Sequence, residues 1–172
     1  LKVTADKMRA QPQKKYSRFE GLVQGELQRM RAYEGKMIFK SHIAEFFGDQ
    51  SLAQLQGNVF LKRQDYVLTA GKADIFLENY NNSLKYFVLN DDVKMREKFT
   101  TPEGVVTERR AFAERMEGFG REQKMVLSGA PRVEQGEDVI KGYRITVREN
   151  TEVIEVDDAM SDVQVKQKKL KD

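Results

Sequence analysis

His42 is the only histidine among 172 residues, and the chain has no cysteine. Zinc held by imidazole and thiolate needs several such ligands at short spacing, and a serine–histidine triad needs a carboxylate to orient the imidazole. The segment Lys40-Ser41-His42-Ile43-Ala44 supplies neither, and without cysteine there is no disulfide or thiol nucleophile. Two adjacent acid pairs, Asp91-Asp92 and Asp157-Asp158, have the side chains for general acid–base work. Neighbours on a strand point to opposite faces, however, and both pairs fall where turns are expected, so they read as turn residues. Gly118-Phe119-Gly120 has glycines like those of a phosphate loop but no strand–helix context, and reads as a hairpin turn. Glu108-Arg109-Arg110 and Glu114-Arg115 read as solvated charges. No active site assembles, so no enzyme is expected, and no metal or cofactor.

Composition narrows the classes further. Apolar residues make up 40% of the chain and charged residues 33%, which suits strands with one wet and one dry face. No apolar run approaches the 18 residues of a membrane-spanning helix. The 30 basic and 27 acidic residues are interspersed, whereas a nucleic-acid binder concentrates its cations, so no nucleic-acid partner is expected. The one concentration is Lys166-Gln167-Lys168-Lys169-Leu170-Lys171, and residues 167–172 read as a solvated basic tail behind a single domain spanning 1–166. There is no G-x-x-x-x-G-K-[ST] loop to bind nucleotide.

Two phrases recur along the chain and define the elements. The first is a turn followed by an apolar residue: Glu20-Gly21-Leu22-Val23, Gln56-Gly57-Asn58-Val59, Asn90-Asp91-Asp92-Val93 and Ser128-Gly129-Ala130. Its glycines at 21, 57 and 129 differ by 36 and by 72, twice 36. The second runs Gly35-Lys36-Met37-Ile38-Phe39, Gly71-Lys72-Ala73-Asp74-Ile75-Phe76 and Lys141-Gly142-Tyr143-Arg144-Ile145. Repetition at this period marks a stack of supersecondary units that bury their apolar faces against one another, and here the unit reads as a β-hairpin.

Between the turns the pattern has a period of two. Val59 and Leu61 alternate with Phe60 and Lys62, and Tyr66, Leu68 and Ala70 alternate with Val67 and Thr69. The alternation returns over Leu84 to Met95, Lys124 to Val133, Tyr143 to Val147 and Glu152 to Val156, with a short last strand from Asp162 to Lys166. Arg63-Gln64-Asp65 and Asn79 to Ser83 read as turns. Residues 26–32 and 107–116 are rich in helix formers, with Phe112 and Met116 four apart, so helix and strand both remain open. Their position in the repeat favours strand.

In their order, these phrases resemble the OstA-like/LptA family of lipopolysaccharide transport. The residues carrying the likeness are Gly57-Asn58-Val59, Leu68-Thr69-Ala70-Gly71-Lys72, Leu127-Ser128-Gly129 and Ile140-Lys141-Gly142-Tyr143-Arg144-Ile145-Thr146. The likeness covers about 55 to 166 well and the first fifty residues less tightly. It implies an all-β, open β-jellyroll of stacked antiparallel hairpins, in the periplasm, reached by a signal that is not in this chain. It implies that lipopolysaccharide acyl chains (the lipid A part) enter an unfilled apolar groove, and that the protein bridges inner and outer membranes without catalysis. The lining would be the inward set Val59, Leu61, Leu68, Ala70, Ile75, Leu77, Met125, Leu127, Ile140, Ile145 and Val147. Unpaired edges at Leu1 to Ala5 and Asp162 to Lys166 would pair with LptC-like and LptD-like jellyrolls of the bridge, or head to tail with another copy. The alternative is a structural or adhesin-like β-solenoid spacer whose core is closed.

Overall fold

Alternating apolar and polar residues put one side of each segment in water and the other against its neighbours, and the long alternating runs are strands. The structure, a computed structural model, describes residues 1–27, 36–63, 66–78 and 84–159. The strands are β1 (Lys2–Thr4), β2 (Lys7–Gln11), β3 (Tyr16–Leu27), β4 (Met37–Phe47), β5 (Leu52–Arg63), β6 (Tyr66–Leu77), β7 (Leu84–Thr100), β8 (Val106–Phe119), β9 (Lys124–Ser128), β10 (Arg132–Gln135), β11 (Asp138–Arg148) and β12 (Ile154–Ala159). They form one 12-stranded antiparallel sheet in which successive strands pair. β1 and β2 lie end to end beside β3, and β9 and β10 lie end to end between β8 and β11. No described helix is long and apolar enough to cross a membrane.

The first recurring phrase is not the turn of a hairpin. Gly21-Leu22, Gly57-Asn58 and Asp91-Asp92 are extra residues inside β3, β5 and β7, where the register with the next strand shifts between Glu20 and Val23, Gln56 and Val59, and Asn90 and Val93. Gly129-Ala130 separates β9 from β10 in the same row, opposite Glu114. Such bulges bend a strand sharply. Gly57 shows why the phrase repeats: its φ is +78°, and a Cβ there would sit 2.9 Å from the His42 Nδ1 on the neighbouring strand. His42 is thereby accounted for, exposed on this seam with its Nε2 3.3 Å from Asn58 Nδ2.

Aligned bulges fold the sheet along one line into two layers. Layer I holds the strand segments around Val59–Arg63, Tyr66–Ala70, Val93–Thr100 and Val106–Ala113. Layer II holds those around Leu52–Gln56, Lys72–Leu77, Leu84–Asn90 and Arg115–Phe119. Leu61 and Leu68 of layer I line a common void with Ile75 and Phe87 of layer II, so the two inner faces meet.

Other expectations divide. Residues 107–116 are strand, because β8 is paired on both flanks, and the register shift where Glu114 meets the Asp91-Asp92 bulge lets Met116 point inward while Phe112 points out. The run from Lys124 to Val133 is two strands, broken where Gly129, at φ +74°, precedes Pro131. Asp157-Asp158 lies inside β12, not in a turn, with Asp157 opposite Arg144. Of 26–32 only residues 26 and 27 are described, in β3. Gln64-Asp65, 79–83, the strand expected at 162–166 and the tail 167–172 lie outside the described residues.

Candidate functional site

The inner faces are built in register. In layer I, Leu61 stands opposite Leu68, Leu68 opposite Met95, Met95 opposite Ala111, Ala111 opposite Val133, and Val133 opposite Ile140. In layer II, Leu89, Met116, Leu127 and Ile145 form one such row, and Ile75, Phe87, Gly118, Met125 and Val147 another. Gly118 lies beneath the Phe87 ring, where a Cβ would come within 2.0 Å of it, and Gly25 lies likewise beneath Phe39. Glycine under an aromatic ring brings the ring flat against the sheet and fills the interior.

All eleven residues expected to line a groove face this interior. Val59, Leu61, Leu68, Ala70, Ile75, Met125, Leu127, Ile145 and Val147 are buried, and Leu77 and Ile140 are half-buried against the same core. The expected trough is occupied by these side chains: Leu127, Ile145 and Val147 are 0% exposed. Two apolar voids of about 50 and 10 Å³ remain between β4, β5, β6 and β7, the larger reached by Leu1 and lined by Phe39, Phe46 and Leu77. Neither has room for an acyl chain. Toward the first strands the interior loosens, with Val3, Ala5, Phe19 and Phe46 only partly covered, and toward the last strand Ile154 and Val156 are likewise half-buried.

Among the described residues a polar constellation centred on Arg109 lies inside, with a second largely buried pair, Arg63–Glu149 at 3.9 Å, at the adjoining turn. Arg109 reads as solvated in the sequence but is 0% exposed, with Glu97 at 1%. Arg109 stands directly between Glu97 and Gln135 in the register of layer I. Its guanidinium donates to Glu97 Oε2 at 3.0 Å, to Gln135 Oε1 at 2.8 Å and to the carbonyls of Arg148 and Thr151, while lying 4.7 Å over the Phe99 ring. Glu97 Oε1 accepts from the Asn150 amide at 2.8 Å. Burial pushes the guanidinium below its ordinary pKa, and Glu97 opposes that shift. The carbonyls and the amide belong to the last residue of β11 and the turn that leads to β12 in layer II. Arg109 therefore ties the free edges of the two layers together, across from the seam. Replacing such an ion pair's partner leaves a charge in a dry site, so this edge is expensive to open. The alternation itself could have found Arg109, which shares its parity with Ala111 and Ala113.

An all-β stack of antiparallel strands, bent by aligned bulges into two layers around an apolar interior, is an open β-jellyroll. The chain belongs to the family described as LptA/(LptD N-terminal domain) lipopolysaccharide transport protein, whose sequence model matches residues 40–153. Its fold is similar to the crystal structure of LptH, the LptA homologous periplasmic component of the conserved lipopolysaccharide transport device from Pseudomonas aeruginosa. That likeness has a TM-score of 0.57 at 12% identity, over 94% of this chain and 85% of that one. No curated protein matches the sequence.

Proposed function

We propose that the space between the two layers receives the acyl chains of lipopolysaccharide, and that the protein passes this lipid between inner and outer membranes in the periplasm, without catalysing a reaction. The observation that carries this reading is the convergence of Val59, Leu61, Leu68, Ala70, Ile75, Leu77, Met125, Leu127, Ile140, Ile145 and Val147 from both layers on one continuous apolar interior, in a chain of a lipopolysaccharide transport family. Sheltering one methylene from water is worth about 0.8 kcal/mol, so a chain of about twelve carbons gains on the order of 10 kcal/mol. That gain offsets parting the layers, since an inserted chain replaces apolar contact with apolar contact.

The opening begins at the loosely covered first strands, next to the larger void, while the Arg109 cluster holds the free edge around β7, β8 and β11. The edge presented by β1 and β2 accepts a strand from an LptC-like or LptD-like jellyroll or from a second copy, and β12 is the opposite edge among the described residues. Residues 1–166 act as one domain. The filled interior favours a second reading, a closed-core spacer that carries no lipid.

Photo-crosslinking in cells from Leu68, Leu127 and Ile145 separates the two. Lipopolysaccharide adducts at these positions and none at the outward Lys62 support the conduit. No adduct at any of the three, or equal labelling from Lys62, supports the spacer.

A further inference from the structure

The outer face of each layer carries both paired and unpaired cations. On layer II Arg18 pairs with Glu20 and Glu45, Arg115 with Glu117 and Arg148 with Glu155, and Lys7, Arg9, Lys85 and Arg144 stand apart without an ion pair to a described residue. On layer I a single row crosses the strands in register, from Lys40 through Phe60, Thr69, Lys94, Phe112 and Arg132 to Lys141. At a strand spacing of about 4.8 Å it spans roughly 30 Å. Lys40 lies over the Phe60 ring at 5.9 Å and Arg132 over the Phe112 ring at 4.6 Å. Beside it, Arg96 stands directly opposite Arg110, and within it Arg132 stands opposite Lys141; like charges so placed destabilise a sheet. Glu108 and Glu134 answer Arg110 and Arg132. Lys40, Lys62, Arg96, Lys98 and Lys141 make no ion pair with a described residue.

Where this row meets the bulge seam there is an open cleft of about 470 Å³, lined by Asn58, Phe60, Thr69, Gly71, Asp91 and Asp92 together with Val59 and Ala70. It combines an aromatic face with amide, hydroxyl and carboxylate groups, and Lys72 and Lys94 pair with its two aspartates. The C–H groups on the face of a sugar ring carry partial positive charge and pack on the negative face of an aromatic ring. Asn, Thr and Asp exchange hydrogen bonds with sugar hydroxyls. The free cations suit carboxylates carried along a polymer.

We infer that the Phe60 cleft and the cation–aromatic row of layer I form a binding site for an acidic, carboxylate-bearing polysaccharide. Phe60 and Phe112 are half-buried, so each ring offers a platform for a sugar ring. Asp91 and Asp92 beside Phe60, held by Lys72 at 3.0 Å and Lys94 at 2.8 Å, accept from hydroxyls. The site faces away from the interior and is independent of lipid binding there.

The test is co-sedimentation of the full chain with insoluble peptidoglycan sacculi at low salt, beside phosphatidylglycerol vesicles and single-stranded DNA. The chain is expected in the sacculus pellet and released at about 1 M salt, where charges are screened beyond roughly 3 Å. Phe60→Ser should weaken retention about 3- to 10-fold, and Lys62→Glu/Arg96→Glu/Lys98→Glu should abolish it. Arg115→Glu/Arg144→Glu/Arg148→Glu on layer II should change nothing, with circular dichroism showing each variant folded. Failure to bind sacculi, equal loss from either face, binding indifferent to Phe60→Ser, or preference for vesicles or DNA would each overturn the assignment.

Discussion

The two ends of the stack are built from the same residue types and differ in what ties them shut. Around β8, β9 and β11, Met116, Met125, Leu127 and Ile145 are fully covered, and Arg109 fastens the layers through Glu97, Gln135 and the Asn150–Thr151 turn. Around β1, β3 and β4, Val3, Phe19 and Phe46 are half-covered, and the larger void lies beside them. There the outward-facing ties are surface ion pairs such as Lys15–Asp49 and Lys36–Glu26, each worth little. Apolar contact between layers can be exchanged for contact with a lipid chain, whereas a desolvated ion pair cannot. In the proposed function, opening therefore belongs to one end and anchorage to the other.

The largest effect should come from cutting the tie. Arg109→Leu leaves the Glu97 carboxylate buried without its guanidinium and is expected to cost about 3–5 kcal/mol in urea unfolding, with Arg109→Leu/Glu97→Leu recovering most of it. A double variant no better than the single would remove the special status of this end. Truncation in the two regions sharpens the contrast. Met116→Ala should cost about 2–5 kcal/mol, and Phe46→Ala about 1–2 kcal/mol because its ring already meets water. Equal costs would make the interior uniform.

The smallest effect concerns pH. The Tyr86 hydroxyl donates to Glu117 and, with Arg115, holds that carboxyl below its ordinary 4.5 against the opposing pull of burial. A depressed carboxyl pKa stabilises the fold above 4.5 and loses that contribution as pH falls through the folded value. Glu117→Gln should therefore flatten the acid limb of stability by less than about 1 kcal/mol. Burial first, then Glu117, pushes the Tyr86 phenol up to about 12, so its share is lost as pH climbs from 10 toward that value.

Much of this architecture is readable from alternation alone, and the inward orientation of the eleven residues was assignable because parity decides which face a side chain takes. Three things were not. The Gly57 and Asp91-Asp92 phrases carry turn residues, and bulges use the same left-handed backbone as turns, so local chemistry cannot tell a bend within a strand from a reversal between strands. Arg109 is flanked by Glu108 and Arg110, and a cluster of charges reads as solvated unless the parity of Ala111 and Ala113 is carried through it. Whether facing apolar rows leave a gap depends on side-chain volumes across layers, as with Phe87 over Gly118, and that is a property of packing in three dimensions.

The absence of cysteine permits spin labels at Lys62→Cys on layer I and Gln54→Cys on layer II, both outward. Pulsed electron resonance between them should show a longer, broader distance with lipopolysaccharide and no change with its deacylated saccharide. A distance that stays fixed while the lipid is bound would contradict entry of its chains between the layers.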